Sequence, residues 1–107
     1  ATLTIVGVND SNASSVGKLE VTIKDFNGKV LQRQSDQISL KQNDSKALYT
    51  LPLQELRQKY DTSTTYIQMD YVESTGKKIT NAYFFTKPMY LKINKEKPTF
   101  QISKEND

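Results

Sequence analysis

Lys18-Leu19-Glu20-Val21-Thr22-Ile23-Lys24-Asp25-Phe26-Asn27-Gly28-Lys29-Val30 is the stretch on which the fold turns. Leu19, Val21 and Ile23 alternate with Lys18, Glu20, Thr22 and Lys24. A period of two puts successive side chains on opposite faces of a strand, so one face is apolar and the other wet. Asp25-Phe26-Asn27-Gly28-Lys29 follows as a hairpin turn, because Asn and Gly tolerate the positive φ such turns need. Val30-Leu31-Gln32-Arg33-Gln34 is then the returning strand.

The same period extends in both directions. Upstream, Leu3, Ile5 and Gly7 alternate with Thr2, Thr4, Val6 and Val8 as a first strand. The polar run Asn9-Asp10-Ser11-Asn12-Ala13-Ser14-Ser15 reads as a loop. Downstream, Ile38 and Leu40 form a short strand, Gln42 to Ser45 a turn, and Ala47 to Leu51 a further strand. Pro52 stops it, since proline lacks the N–H a ladder requires. Leu53, Leu56 and Tyr60 fall at helical spacing, which predicts one short helix over Leu53 to Tyr60. Tyr66 to Glu73 is a long strand with Ile67, Met69 and Tyr71 on one face and Gln68, Asp70 and Val72 on the other. Ser74-Thr75-Gly76-Lys77 turns it into a strand from Lys78 to Thr86. There Ala82 and Phe84 face one way, Tyr83 and Phe85 the other, and Pro88 closes the run. Leu91 with Ile93, and Phe100 with Ile102, give two short terminal segments. About seven short strands with turns roughly every ten residues predict an antiparallel sandwich. Its expected core is Leu19, Val21, Ile23, Val30, Leu40, Leu51, Ile67, Met69, Tyr71 and Phe84.

Composition narrows the chemistry. The 107 residues carry 15 Lys and Arg against 12 Asp and Glu, a formal charge of +3, with 36% hydrophobic and 25% charged residues. That balance fits a folded polar domain and no basic block marks a nucleic-acid partner. The lysines from Lys92 to Lys97 are interleaved with Glu96 and read as a solvated edge guarding against strand addition. There is no His, Cys or Trp. This excludes His-dependent triads, thiol nucleophiles, Cys/His zinc sites and disulfides, and no cofactor is expected. No stretch approaches the length of a membrane span, and no signal peptide is visible. The chain opens on Ala1 rather than Met and is read as one domain over residues 1–107, cut from a longer polypeptide.

Catalytic and ligating patterns are sparse. The acids fall in turns or on polar strand faces, and no pair is set out for glycosidase or aspartyl chemistry. Asp70, inside an aromatic strand, reads as an exposed strand residue. Asp25-Phe26-Asn27-Gly28 lacks the acidic ligands of a calcium loop and is a turn. Neither a Walker loop nor GxGxxG is present. N-x-S sequons stand at Asn9, Asn12 and Asn43. The aromatic supply is the one binding signal: 6 Tyr and 4 Phe, of which Tyr66, Tyr83, Phe85 and Tyr90 are the candidates for a sugar platform or a seat for a neighbouring domain.

Asp25-Phe26-Asn27-Gly28-Lys29-Val30, Leu48-Tyr49-Thr50-Leu51-Pro52-Leu53, the strand from Tyr66 to Tyr71, Ser74-Thr75-Gly76-Lys77, and Asn81-Ala82-Tyr83-Phe84-Phe85 with Lys87-Pro88 and Leu91 occur in a familiar order. Over Gly17 to Ile102 the chain resembles the C-terminal immunoglobulin-like domain of β-mannosidases in glycoside hydrolase family 2. It departs from that pattern at Asn94 to Lys97, where a Pro-rich stretch is expected. The resemblance implies a parent that is a retaining exo-glycosidase removing terminal β-mannose with two glutamates on a separate (β/α)₈ barrel. Related exo-β-glucosaminidases end in a similar architecture. Neither glutamate would lie in this chain, so the implied role is a non-catalytic sandwich packed on other domains of the same polypeptide. Parents of this kind are commonly exported, which implies a periplasmic or extracellular setting. Two other roles are carried beside it: a carbohydrate-binding module with two or three exposed coplanar aromatics, and an adhesion domain with a protein partner.

Overall fold

In the computed structural model, which describes residues 2–85, 90–92 and 98–105, the alternating stretch is the centre of a sheet. Strand β2 (Ser15–Asp25) buries Leu19, Val21 and Ile23 on its inner side. It lies between β3 (Val30–Leu40) and β5 (Thr65–Glu73), with β6 (Lys78–Phe84) and β7 (Tyr90–Lys92) beyond. The five-stranded sheet therefore runs β3-β2-β5-β6-β7, every neighbouring pair antiparallel. A three-stranded antiparallel sheet, β4-β1-β8, covers its inner face, with β1 at Thr2–Asn9, β4 at Asp44–Pro52 and β8 at Thr99–Glu105. The fold is the expected all-β sandwich, with eight strands among the described residues rather than seven.

The core lies between the sheets. Leu19, Val21, Ile23, Ile67, Met69, Tyr71, Ile79 and Tyr83 come from the larger sheet, and Leu3, Ile5, Phe100 and Ile102 from the smaller. Tyr71 and Phe100 meet across the gap with ring centroids 4.9 Å apart. Leu40 and the short helix α1 (Leu53–Lys59), through Leu53 and Leu56, close the side. The helix ends at Tyr60, whose N–H bonds the Leu56 carbonyl at 2.8 Å.

Both predicted hairpins form. Gly28 and Gly76 adopt φ of +88° and +96°, the left-handed region that favours glycine. In the first turn one Asp25 carboxylate oxygen accepts from the N–H groups of Asn27 and Lys29, each at 2.9 Å. That is the geometry of an Asx turn.

Four expectations change. The segments read as two strands, Val30 to Gln34 and Ile38 with Leu40, are one continuous β3 of 11 residues. Its register shifts between Ile23 and Lys24, so Ile23 faces Gln32 while Lys24 faces Val30. The bulge moves Val30 to the outer face, where it is exposed, and turns Leu31 towards the core instead. Leu51 is half-buried against the core rather than within it. Phe84 is on the outer face, because Ile67 opposes Tyr83 and Tyr66 opposes Phe84. Pro88, Ile93 and the lysine cluster beyond Lys92 lie outside the described residues.

Candidate functional site on the outer face of the five-stranded sheet

Facing residues of paired strands share a side of the sheet, so the registers lay out the outer face row by row. Lys24, Tyr66 and Phe84 form one row, and Thr22, Gln68 and Ala82 the next. Glu20, Asp70 and Thr80 form the third, and Lys18, Val72 and Lys78 the fourth. Rows lie about 7 Å apart along the strands and neighbours within a row about 5 Å apart.

The first row ends in an aromatic corner. The Tyr66 and Phe84 rings are 5.3 Å apart with planes 28° from parallel. Phe26, projecting from the β2–β3 turn, lies 6.1 Å from Tyr66 at 27° and 6.3 Å from Phe84 at 50°. The Phe26 N–H is fixed to the Thr64 carbonyl at 3.0 Å, which draws the turn onto the start of β5. Tyr66 and Phe84 are half-buried by this packing, but Phe26 remains 55% exposed.

A hydrogen-bonded ladder runs from that corner across the face. Lys24 Nζ donates to Gln68 Oε1 at 3.1 Å, Gln68 Nε2 to Asp70 Oδ2 at 2.7 Å, and Thr80 Oγ1 to Asp70 Oδ1 at 2.9 Å. Beside it Arg33 Nε approaches Glu20 Oε1 at 3.5 Å. Thr22 and Ala82 flank Gln68 at 1% and 7% exposure, short side chains overtopped by longer neighbours although they point outward. At the far end Val16 and Val72 are exposed apolar residues.

The sequence candidates separate on this framework. Tyr66 stands in the aromatic corner. Tyr83 is on the opposite side of β6, buried in the core, with Phe85 half-buried and edge-on to it at 5.7 Å and 83°. Tyr90 pairs with Tyr83 in β7. The partners that the structure gives Tyr66 are Phe26 and Phe84. Phe84 was recoverable from strand register, and Phe26 had a sequence signal in being a large apolar residue inside an otherwise polar turn.

Other polar residues do structural work. Tyr71 OH and Ser15 Oγ are 2.6 Å apart, and Ser15 Oγ donates to Glu73 Oε2 at 2.6 Å, so the phenol is the donor to the serine. Thr75 Oγ1 donates to the other Glu73 oxygen at 2.6 Å. These two hydroxyl bonds, Ser15 first, hold the Glu73 carboxyl below its ordinary range. Burial pushes the Tyr71 phenol up. Tyr49 OH donates to Asp36 at 2.6 Å, and its phenol is also pushed up, by burial first and then by that carboxylate. Asn9 is fully buried. Its amide donates to the carbonyls of Ala13 and Leu40 and accepts from Ser11 N–H and Oγ, so this sequon asparagine organises the β1–β2 loop from inside. Asn12 and Asn43 are exposed. Among the described residues no three acidic side chains cluster to hold a metal ion, and no helix is long and apolar enough to cross a membrane.

A family model described as the mannosidase Ig/CBM-like domain matches residues 1–90. No curated protein of matching sequence was found. The match covers both hairpins, the helix and the entire outer face from Lys18 to Phe84. The chain belongs to the mannosidase Ig/CBM-like domain family.

Proposed function

We propose that this chain is the non-catalytic sandwich of a β-mannosidase of the glycoside hydrolase family 2 type, packed against other domains of the same polypeptide. The observation that carries the reading is the family match over residues 1–90. Chemistry within the described residues supports the division of labour. Retaining glycosidases need a carboxylate nucleophile and a carboxylic acid about 5 Å apart with a sugar between them. Glu20 and Asp70 face one another across β2 and β5. Glu20 is paired with Arg33, and both Asp70 oxygens accept hydrogen bonds from Gln68 and Thr80. Both carboxylates are thus engaged by neighbouring side chains. Catalysis by two glutamates on a separate barrel, and export of the whole protein, belong to the same proposal.

The test is an assay of aryl β-mannoside hydrolysis on two samples, the 107-residue chain and the full polypeptide encoded around it. Turnover by the full polypeptide and none by the chain is the expected result. A full polypeptide inactive on β-mannosides would overturn the substrate, and turnover by the chain would overturn the accessory role.

A further inference from the structure

We infer that the aromatic corner of the outer face is a carbohydrate-binding site. A neutral hexopyranoside would lie with its C–H face on the Phe26 and Tyr66 rings and its hydroxyls on Lys24, Gln68 and Asp70. The inference does not depend on which sugar the parent enzyme hydrolyses.

Three ligand classes use exposed aromatics on a sheet: nucleic-acid bases, apolar protein surfaces and sugars. Bases bring phosphates, which need a cationic groove. Here the cations nearest the rings are tied into the acids of the same face, Arg33 by its ion pair with Glu20 and Lys24 through Gln68 to Asp70, so charge of both signs alternates where a base binder needs a cationic track. A dry protein interface is depleted of charge at its centre. This corner instead runs directly into a charged and amide ladder, Lys24–Gln68–Asp70–Thr80. A pyranose combines an apolar ring face with a rim of hydroxyls that both donate and accept. It is the class that matches rings and ladder together.

The site is also pre-organised. Tyr66 is near-parallel to both phenylalanines, and the Phe26 backbone is pinned to Thr64. The ladder holds each polar group in place through one neighbour and leaves bonding capacity unused. Among the described residues, one hydrogen bond engages the Lys24 ammonium and one the Gln68 amide nitrogen, and each has further protons to give. The Asp70 carboxylate accepts from two partners and has lone pairs for more.

The experiment is a backbone-amide NMR titration of the 107-residue chain with mannotetraose, cellotetraose and chitotetraose, beside inorganic phosphate as a charged control. Shifts confined to residues 24–27, 66–70 and 80–84 with at least one sugar, and none there with phosphate, are expected. Phe26→Ala removes a ring that is mostly in solvent, so the variant keeps its dispersed spectrum while its affinity falls about tenfold, the loss expected of one stacked ring. Gln68→Ala weakens binding in the same direction. No sugar-induced shift at tens of millimolar, shifts centred on Val16 and Val72 instead, or unchanged affinity in Phe26→Ala would each overturn the site. So would concentration-dependent shifts of these residues without sugar, which would make the corner a contact between copies of the chain.

Discussion

A Cβ on Gly17 would lie 2.4 Å from the Val72 carbonyl oxygen and 2.8 Å from both Glu73 Cα and Tyr71 Cζ. Two of those three atoms are backbone of the neighbouring strand, so the clash cannot be relieved by turning a side chain. Gly17→Ala should therefore destabilise the domain by about 1–3 kcal/mol, the usual range for overpacking, as read by urea denaturation at unchanged m-value. The nearby Ser15–Glu73–Thr75 group sets an acid dependence. Hydrogen bonds hold the Glu73 carboxyl below its ordinary value of 4.5 in the fold, so the stability it contributes is present above that value. It is lost as pH falls through the lower folded value. The stability gap between the native chain and Glu73→Gln should thus narrow on going from neutral pH to about pH 3. A gap that widened on acidification would mean that the fold favours the protonated Glu73 carboxyl instead. Phenols give the alkaline counterpart. Of the 6 tyrosines, Tyr49 and Tyr71 have folded values raised above 10.0. Their neutral forms contribute stability up to that pH and lose it as pH rises through the folded values. A spectrophotometric titration should show a phase above the ordinary phenol range, and Tyr49→Phe should remove part of it.

At the scale of elements, β2, β5 and both hairpin turns were legible because one side of each strand is apolar and the other polar. Period two then has a single solution. Strand β3 was not. Gln32, Gln34 and Asp36 oppose Ile23, Val21 and Leu19 at the inner edge of the sheet, so its inward positions are polar and the alternation that marks a buried face is missing. Two of them find partners on neighbouring elements, Gln32 with Tyr60 and Asp36 with Tyr49. Inward polar groups also blunt an edge strand against pairing with other chains. The bulge at Ile23/Lys24 adds one residue that no pattern of apolar residues announces, and it exchanges the roles of Val30 and Leu31. Leu31→Ala should then cost about 1–2 kcal/mol, less than full core burial because Leu31 is half-buried, whereas Val30→Ala should fall within about 0.5 kcal/mol of the native chain. The reverse order in chemical denaturation would show that β3 pairs without the bulge. The aromatic corner was half legible for a related reason. Local alternation places Tyr66 and Phe84 on sides of their own strands, but only cross-strand register makes them neighbours, and only the hairpin geometry brings Phe26 to both.

Across the whole molecule, two sheets enclose one apolar layer without a disulfide, so stability rests on packing between the Tyr71–Phe100 contact and the aliphatic residues around it. Long-range antiparallel pairing dominates this topology, which predicts folding on the millisecond-to-second scale typical of sandwiches. The sequence carried the sandwich and the family through turn chemistry and strand order. It left the aromatic corner open, since that corner is assembled from three elements distant in the chain. An accessory role makes a distinct claim about the parent protein: weakening this domain lowers the persistence of activity without altering the chemistry. The most direct measurement is thermal inactivation of β-mannoside hydrolysis by the full polypeptide, native against Gly17→Ala, with kinetics recorded at a temperature where both are folded. Equal kcat and KM for an aryl β-mannoside at that temperature and a several-fold shorter half-life for the variant on heating are expected. A changed kcat at low temperature, or an unchanged half-life in a variant whose isolated domain is destabilised, would contradict the accessory role.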